Sequence, residues 1–382
     1  MPSFADRARV GVAPLTADDR ADWIAFQARH HGADSRQADP AWLDWLAADP
    51  EIATDPEAPD AHLAAWICRR NGAIVGSQGS IPFRLKEGDA LLSATWAVDL
   101  MVEPEWRLRG IGPALTEAMT GSRGLVVALS ISEAAYRAYL RGGWRDLGDI
   151  PNYVRPHDVG WSVRQAGLRG PRAAAATAIV APALAATRLA SALATRMMGT
   201  RLVRIDRFDE RVDRVWASAS KRYPVIAVRD HRALAWRFDA VPDPTRDTRH
   251  YLIAGGKVRG YVVTRVEAWH DHQMLSIVDF LASPRWVLPL LGHVTALPEV
   301  RQTTAITCRT LSPGLDLAFR AAGFIRVAAD DRGRPMDRSA GTPLRFMVYQ
   351  GEQPERLAFD RSQWFVTAGD SDFRLGAEPA DR

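Results

Sequence analysis

Apolar and polar positions along residues 8–155 fall into short runs whose period changes from element to element. Residues 8–13 read as a strand. A helix is expected from Thr16, because Thr16-Ala-Asp-Asp sets a capping residue ahead of two acids in the first turn. The stretch PAWLDWLAADP, framed by Pro40 and Pro50, reads as a second helix. Residues 63–69 and 73–81 alternate with period two around Asn71-Gly72, the dipeptide that favours a two-residue hairpin turn. Residues 93–102 form a longer apolar strand that ends at Pro104, and a helix follows from about residue 112 to 120. A short apolar strand at 125–130 precedes a helix at 133–141, which Gly142-Gly143 terminates. The predicted order, β-α-α-β-β-β-α-β-α, is that of one α/β domain.

The same pattern returns further along the chain. ATWAVDLMVEPEW (94–106) is similar to LSIVDFLASPRW (275–286), pairing Asp99 with Asp279, Pro104 with Pro284 and Trp106 with Trp286. SEAAYRAYLRGGW (132–144) is similar to SPGLDLAFRAAGF (312–324), pairing Ser132 with Ser312, Tyr139 with Phe319, Gly143 with Gly323 and Trp144 with Phe324. All seven pairs share one offset of 180 residues. A single offset across two separated blocks reads as a tandem duplication. The expected division is a first domain at 1–157, a linker at 158–204 and a second domain at 205–382.

Charge adds one feature. The 382-residue chain balances 49 Lys and Arg against 45 Asp and Glu, a net charge of +4, so a general nucleic-acid binder is excluded. Two cysteines exclude a disulfide scaffold and a cysteine-rich zinc module. The first residues, MPSFADRARVG, carry no apolar signal-peptide core, and a cytoplasmic protein is expected. Between residues 159 and 205, however, there is no Asp or Glu, while Arg164, Arg169, Arg172, Arg188, Arg196, Arg201 and Arg204 all fall there. The stretch is Ala-rich and broken by Pro182. It suits either a helix at an anionic membrane surface, peripheral at the inner face, or a connecting helical pair between the halves.

The sharpest local signal is VEPEWRLRGIGPALTEAM (102–119). A strand runs into Arg107-Leu108-Arg109-Gly110-Ile111-Gly112, which opens a helix. Glycines let the backbone approach a ligand, and the free N–H groups at a helix N-terminus bind phosphate oxygens. The string has neither the spacing of the dinucleotide fingerprint nor the Lys-Ser/Thr of a P-loop. It resembles the R-x-x-G-x-G pyrophosphate loop of the GNAT superfamily of acyl-CoA-dependent N-acyltransferases. That family follows the loop with a strand and a helix of the form N-x-x-A-x-x-x-Y-x-x-x-G-F. Ala135, Tyr139 and Gly143 match, while Ser132 and Trp144 depart from the commoner Asn and Phe. The resemblance covers 8–155 and, more weakly, 205–330. It implies α/β architecture (an α+β mixed sheet) as two GNAT-like domains in tandem, splayed where acyl-CoA inserts.

The resemblance further implies acyl-CoA as the donor substrate, no metal, and direct transfer to a primary amine. It places Arg107, Leu108, Arg109, Gly110, Ile111 and Gly112 at the pyrophosphate, Ser132 beside the cofactor, and the backbone N–H groups of Met101 and Val102 at the thioester carbonyl. Tyr139 is the implied acid for the leaving thiolate. The base is read as Glu103 or Asp99, four apart on one strand and so on one face. Glu103 is preferred because Asp99 recurs as Asp279. In the second half Val287-Leu-Pro-Leu-Leu-Gly292 replaces the glycine loop and Phe319 replaces Tyr139, so that half is expected to be degenerate and to shape the acceptor cleft.

Three features stay outside this scheme. His30-His31 reads as loop, without acidic partners. His270 and His272 have metal-like spacing but no third ligand, and read as a hairpin turn. The tail at 363–373, with Trp364 and Phe365 before Asp370 and Asp372, reads as a docked strand with a solvated acidic turn, or as a carboxylate at the acceptor site. The acceptor itself stays open between a lipid-like amine such as a sphingoid base, as in bacterial ceramide-synthase-like enzymes, and an amino sugar, as in polysaccharide-cluster acyltransferases. The basic apolar linker tips the choice to the lipid. A non-catalytic acyl-CoA-binding protein is the alternative from another class.

Overall fold

Asn71 and Gly72 take φ values of 51° and 82°, the paired left-handed geometry that a two-residue hairpin turn requires. They join β2 (Ala65–Arg70) to β3 (Ala73–Glu87), and β1 (Val12–Pro14) pairs on the outer edge of β2. In the computed structural model, residues 10–47, 65–122, 125–129, 131–269, 271–327, 344–351 and 357–371 are described. Helices α1 (Arg20–His31) and α2 (Pro40–Ala47) lie between β1 and β2. The chain continues through β4 (Ala90–Val102), α3 (Ile111–Ser122), β5 (Leu125–Leu129), α4 (Glu133–Arg141), β6 (Arg145–Asp149) and β7 (Asn152–Pro156). Helices α5 (Val159–Gln165) and α6 (Gly170–Met197) lead to β8 (Thr200–Ile205). The second half then runs α7 (Asp213–Ala219), β9 (Val225–Ala227), α8 (His231–Leu234), β10 (Thr248–Ala254), β11 (Lys257–Trp269) and β12 (His272–Ala282). It finishes with α9 (Pro284–Val294), β13 (Ala305–Leu311), α10 (Asp316–Ala321), β14 (Ile325–Val327), β15 (Arg345–Tyr349) and β16 (Trp364–Thr367).

The expected α/β fold with a mixed sheet is what forms. Sixteen strands among the described residues join in one sheet. β3 bonds to β9, β9 to β16, and β16 to β13, so hydrogen bonds run unbroken between the two halves. Pairing also crosses the boundaries expected at 157 and 205. β7 pairs with β13 and β14, whereas β15 inserts between β5 and β6. Each half therefore receives a strand from the other.

The linker holds two helices, α5 and α6, but the break expected at Pro182 does not form. α6 is one helix of 28 residues that runs through Pro182, and residues 200–205 form β8, paired with β10. A proline in a helix removes one N–H donor without forcing a break where the turn is otherwise supported.

The two halves part their sheets at matching places. β4 and β5 are parallel partners only through Ala97↔Ala128, after which β4 runs on to Val102 paired on its β3 side. β12 and β13 stop pairing at Ile277↔Cys308, the same two positions plus 180. The helix ends also correspond: Trp144 N–H donates to Tyr139 O and Phe324 N–H to Phe319 O, and Gly143 and Gly323 both take φ 84°.

The second opening is filled by the chain's own tail. β16 pairs with β13 at Thr310↔Thr367 and Leu311↔Val366, and Gly369 packs so close that a Cβ there would lie 2.9 Å from Asp279 Cβ. Asp370 is buried against Arg229 (2.6 Å), which also meets Asp279 (3.3 Å). Thr367 Oγ1 and Tyr261 OH donate to Asp279 at 2.8 and 2.7 Å. The tail is thus a docked strand, and its Asp370 is buried and ion-paired rather than solvated. Asp372 and Phe373 lie outside the described residues.

Two outcomes test this arrangement. A fragment ending at residue 157 lacks β15 and leaves the outer edge of β5 open. It should aggregate when expressed alone, and a soluble fragment with slow amide exchange in β5 would contradict the exchange of strands. Arg229→Met strips two buried carboxylates of their counter-charge and should cost about 3–5 kcal/mol by urea unfolding at neutral pH. Burial already raises the Asp370 carboxyl against the opposing pull of Arg229, and without the guanidinium it should rise further, so the deficit should shrink as pH falls into the carboxylate range and protonates it.

Candidate functional site

The expected phosphate loop is an exposed turn on the open end of β4. Pro104–Trp106 makes a 3-10 turn, residues 107–110 follow it exposed, and α3 begins at Ile111. Leu108 and Gly110 take positive φ, 62° and 81°, so the backbone there folds back sharply in front of the helix. A side chain at Gly110 would be strained by that φ, although the space beside it is open. The first N–H groups of α3 have no intrahelical acceptor and face this turn. Arg109 lies over the Trp106 ring at 5.0 Å, and Arg107 Nε donates to Val102 O at 3.1 Å. Gly76 seats the helix: a Cβ there would come within 2.8 Å of Ile111 Cγ2, so α3 lies directly on β3.

Nothing comparable exists among the described residues of the second half. α9 starts at Pro284, before the matching positions, and buries Val287, Pro289, Leu290 and Leu291 in the core. No loop precedes the helix, and no glycine-rich turn faces solvent there.

Between the loop and the sheet lies the opening beside β4. A bulge interrupts the β3–β4 register, where Gly79 faces Val98 but Ser77 faces Met101. Asp99 sits in that bulge with φ 50°, a strained conformation for a non-glycine residue. Among the described residues, no strand pairs the β5 side of β4 beyond Ala97. N–H groups alternate in direction along a strand, so some of those from 98 to 102, Met101 and Val102 among the candidates, point into the gap.

Tyr139 is buried on the α3 side, stacked on Trp144 at 4.3 Å. Its hydroxyl donates to Gln78 Oε1 at 3.4 Å, and Gln78 Nε2 donates to Val98 O at 2.7 Å. The phenol is thus two hydrogen bonds from Val98, the first residue of β4 beyond its pairing with β5. Burial pushes its pKa well above the usual value, and the bond to Gln78 opposes this only weakly. Ser132 caps α4, accepting from Ala135 N–H at 3.2 Å.

Glu103 and Asp99 both face α1, in agreement with their expected common face. Glu103 lies 3.2 Å from Arg29 and 3.5 Å from His30 Nε2, while Asp99 lies 3.7 Å from His31 Nε2. The expectation of two loop histidines without acidic partners is corrected: both sit in the last turn of α1, each opposite a carboxylate. The two acids come from β4 and the histidines from an element 70 residues earlier, so only the fold brings them together. Burial, aided by Arg29 and Arg107 and opposed by Glu103, lowers the pKa of His30. Elsewhere, His272 Nε2 accepts from Trp161 Nε1 at 2.8 Å, and His270 lies outside the described residues. No group of metal-ligating side chains is assembled among the described residues.

Two cavities open between the halves. One, of about 190 Å³, has Phe83, Trp96, Trp236 and Phe238 with Arg84 and Arg232 in its wall. The other, of about 300 Å³, includes Arg36, Trp42, Trp45 and Arg265. Arg237, Phe238 and Gly369 line both. The residues of α8 and the following turn resemble the α2 stretch in sequence, but their place in these walls was not legible, because they meet β3 and β4 only across the interface.

Solved structures share this architecture. A GCN5-related N-acetyltransferase of Anabaena variabilis superposes with a TM-score of 0.56 at 11% identity, covering 89% of this chain and 72% of that one. A probable N-acyltransferase of Enterococcus faecalis gives 0.56 at 12% identity, with the same coverage. The N-myristoyltransferase of Saccharomyces cerevisiae with bound myristoyl-CoA gives 0.53 at 10% identity, covering 92% of this chain and 84% of that one. No protein-family model and no curated protein sequence matches the chain. The class defined is therefore one of fold: the mixed α/β fold of the GCN5-related N-acetyltransferases, which the N-myristoyltransferase shares.

The histidine geometry is open to direct measurement. The His30 imidazole should titrate below the ordinary value of about 6.5 when followed by NMR. In Glu103→Gln, which removes the neighbour that favours the charged ring, it should titrate lower still. An unshifted His30 in both proteins would remove the contact.

Proposed function

We propose that the protein is an acyl-CoA-dependent N-acyltransferase whose donor and chemistry belong to the first half. The observation that carries this reading is the parting of β4 from β5 beside a glycine turn at the N-terminus of α3. The loop offers phosphate-binding N–H groups and Arg107 and Arg109 to an acyl-CoA. The opening beyond Ala97 offers a slot for its thioester, with N–H groups of β4 at the carbonyl. The matching sheet partings and helix ends support descent of the halves from one duplicated unit, with the second opening closed by β16.

The reaction follows from the groups at hand. The acceptor amine approaches from the α1 side, where His30 with Glu103, and His31 with Asp99, take up a proton. The amine nitrogen bonds to the thioester carbon, the carbon–sulfur bond breaks, and CoA leaves as a thiolate. Tyr139 serves this thiolate as a hydrogen-bond donor rather than by full proton transfer. A thiol of the cysteine type has a pKa of about 8.5, far below that of the buried phenol. The proton that neutralises the sulfur is the one the amine gives up, so the products are an amide and free CoA.

The acceptor read here is an amine carrying an apolar portion, of which a sphingoid base is one example. The aromatic wall of Phe83, Trp96, Trp236 and Phe238 supports it.

Mass spectrometry of the protein incubated with short- and long-chain acyl-CoA and a panel of sphingoid, amino-sugar and peptide amines tests donor and acceptor together. An amide of an apolar amine is expected, and an amide of the amino sugar alone would replace the acceptor reading. Gly110→Pro should abolish acyl-CoA binding in calorimetry, whereas Tyr139→Phe should lower turnover and leave that affinity intact. Tight binding without any amide would favour a non-catalytic acyl-CoA-binding protein, and no binding at all would reject the proposal.

A further inference from the structure

Helix α6 has two unlike faces. Leu184 and Ser191 are buried, and a Cβ on Gly292 of α9 would lie 3.0 Å from Ser191 Cβ, so α6 rests on α9 through small side chains. On the opposite side Ile179, Leu189, Leu193 and Met197 are 73%, 73%, 55% and 78% exposed. At 100° per residue these four fall within an arc of about 80°. Four large apolar side chains aligned on one outward face mark a surface that another body covers.

Charge selects the body. Residues 159–205 hold seven arginines and no carboxylate. Arg164, Arg169, Arg172 and Arg196 are exposed on α5, the turn after it and α6, and Arg201 and Arg204 on the edge strand β8. A second copy seated on this face by two-fold symmetry would set the arginines against their own likes. An anionic surface answers both features, with phosphates for the guanidinium groups and an apolar layer for the side chains between them.

We propose that α6 docks the protein on an anionic phospholipid surface. The helix lies in the plane of the interface, with Ile179, Leu189, Leu193 and Met197 directed into the acyl boundary and the arginines at the headgroups. At 28 residues it is long and apolar enough to cross a bilayer. The face packed on α9 holds it to the folded body instead, so it lies rather than spans. Docking of this kind is independent of the acyl-transfer chemistry.

The test is co-sedimentation of the full chain with vesicles of phosphatidylglycerol in phosphatidylcholine, and with phosphatidylcholine alone. Binding to the anionic vesicles only, weakened by salt, is expected. The triple variant Arg164→Glu, Arg172→Glu and Arg196→Glu should bind at least about tenfold more weakly, since each arginine near the surface contributes favourably. Leu189→Glu with Leu193→Glu should also lose binding. Unchanged thermal unfolding of both variants shows that the fold survives, and these residues lie outside the acyl-transfer site, so failure here leaves the enzymatic reading untouched. Three results would overturn the proposal: no binding to anionic vesicles, binding indifferent to both variants, or a dimer in sizing chromatography that the leucine variant dissolves. Resistance to alkaline carbonate extraction would replace docking by a spanning helix.

Discussion

The backbone edges of β5 decide how this protein is built. All five residues of the strand are buried, so each N–H and C=O along it needs a partner within the protein. One edge is met by β4 only as far as Ala97, and the other by β15 from Phe346 to Tyr349. β4 pairs with four of the five residues of β5, and the opening lies where β4 runs past them. Its outer wall is a strand that residues 345–349 hold from the other side.

The same geometry has opposite outcomes in the two halves. In the first, the opening stays free, the loop before α3 stays exposed, and acids and histidines gather at its rim. In the second, β16 and the turn after it lie in the corresponding place, stapled by the buried ion pairs of Arg229 with Asp279 and Asp370. Asp279 is the counterpart of Asp99, yet it now holds the tail rather than facing a histidine. One carboxylate position is structural, and the matching one faces α1.

Much of this was legible along the chain. Asn71-Gly72 and Gly142-Gly143 act through their own backbone and Thr16 through its contact with Asp19 three residues on, so these turns and this cap could be read locally. The offset of 180 was legible because paired residues keep paired positions in the two parted sheets. The strand exchange was not, since β15 is a short apolar run whose partners lie more than 200 residues away and nothing in five residues specifies an edge. The pairing of His30 with Glu103 escaped for the same reason: the acids were sought near the histidines in sequence, while the fold supplies them from β4. The continuity of α6 through Pro182 escaped because a proline reads as a break unless the packing beside it is known.

The path of β15 also sets the order in which the protein can become itself. Synthesis delivers β4, β5, α3 and α4 early, but the partner of Leu129 is Phe346, so the first sheet stays one strand short until residues 345–349 have emerged. During that interval the nascent chain presents an unpaired apolar edge that a chaperone can recognise and a neighbouring chain can capture. The strand that walls the cleft consequently keeps an open outer edge until then, and a chain that stops before residue 345 keeps that edge for good.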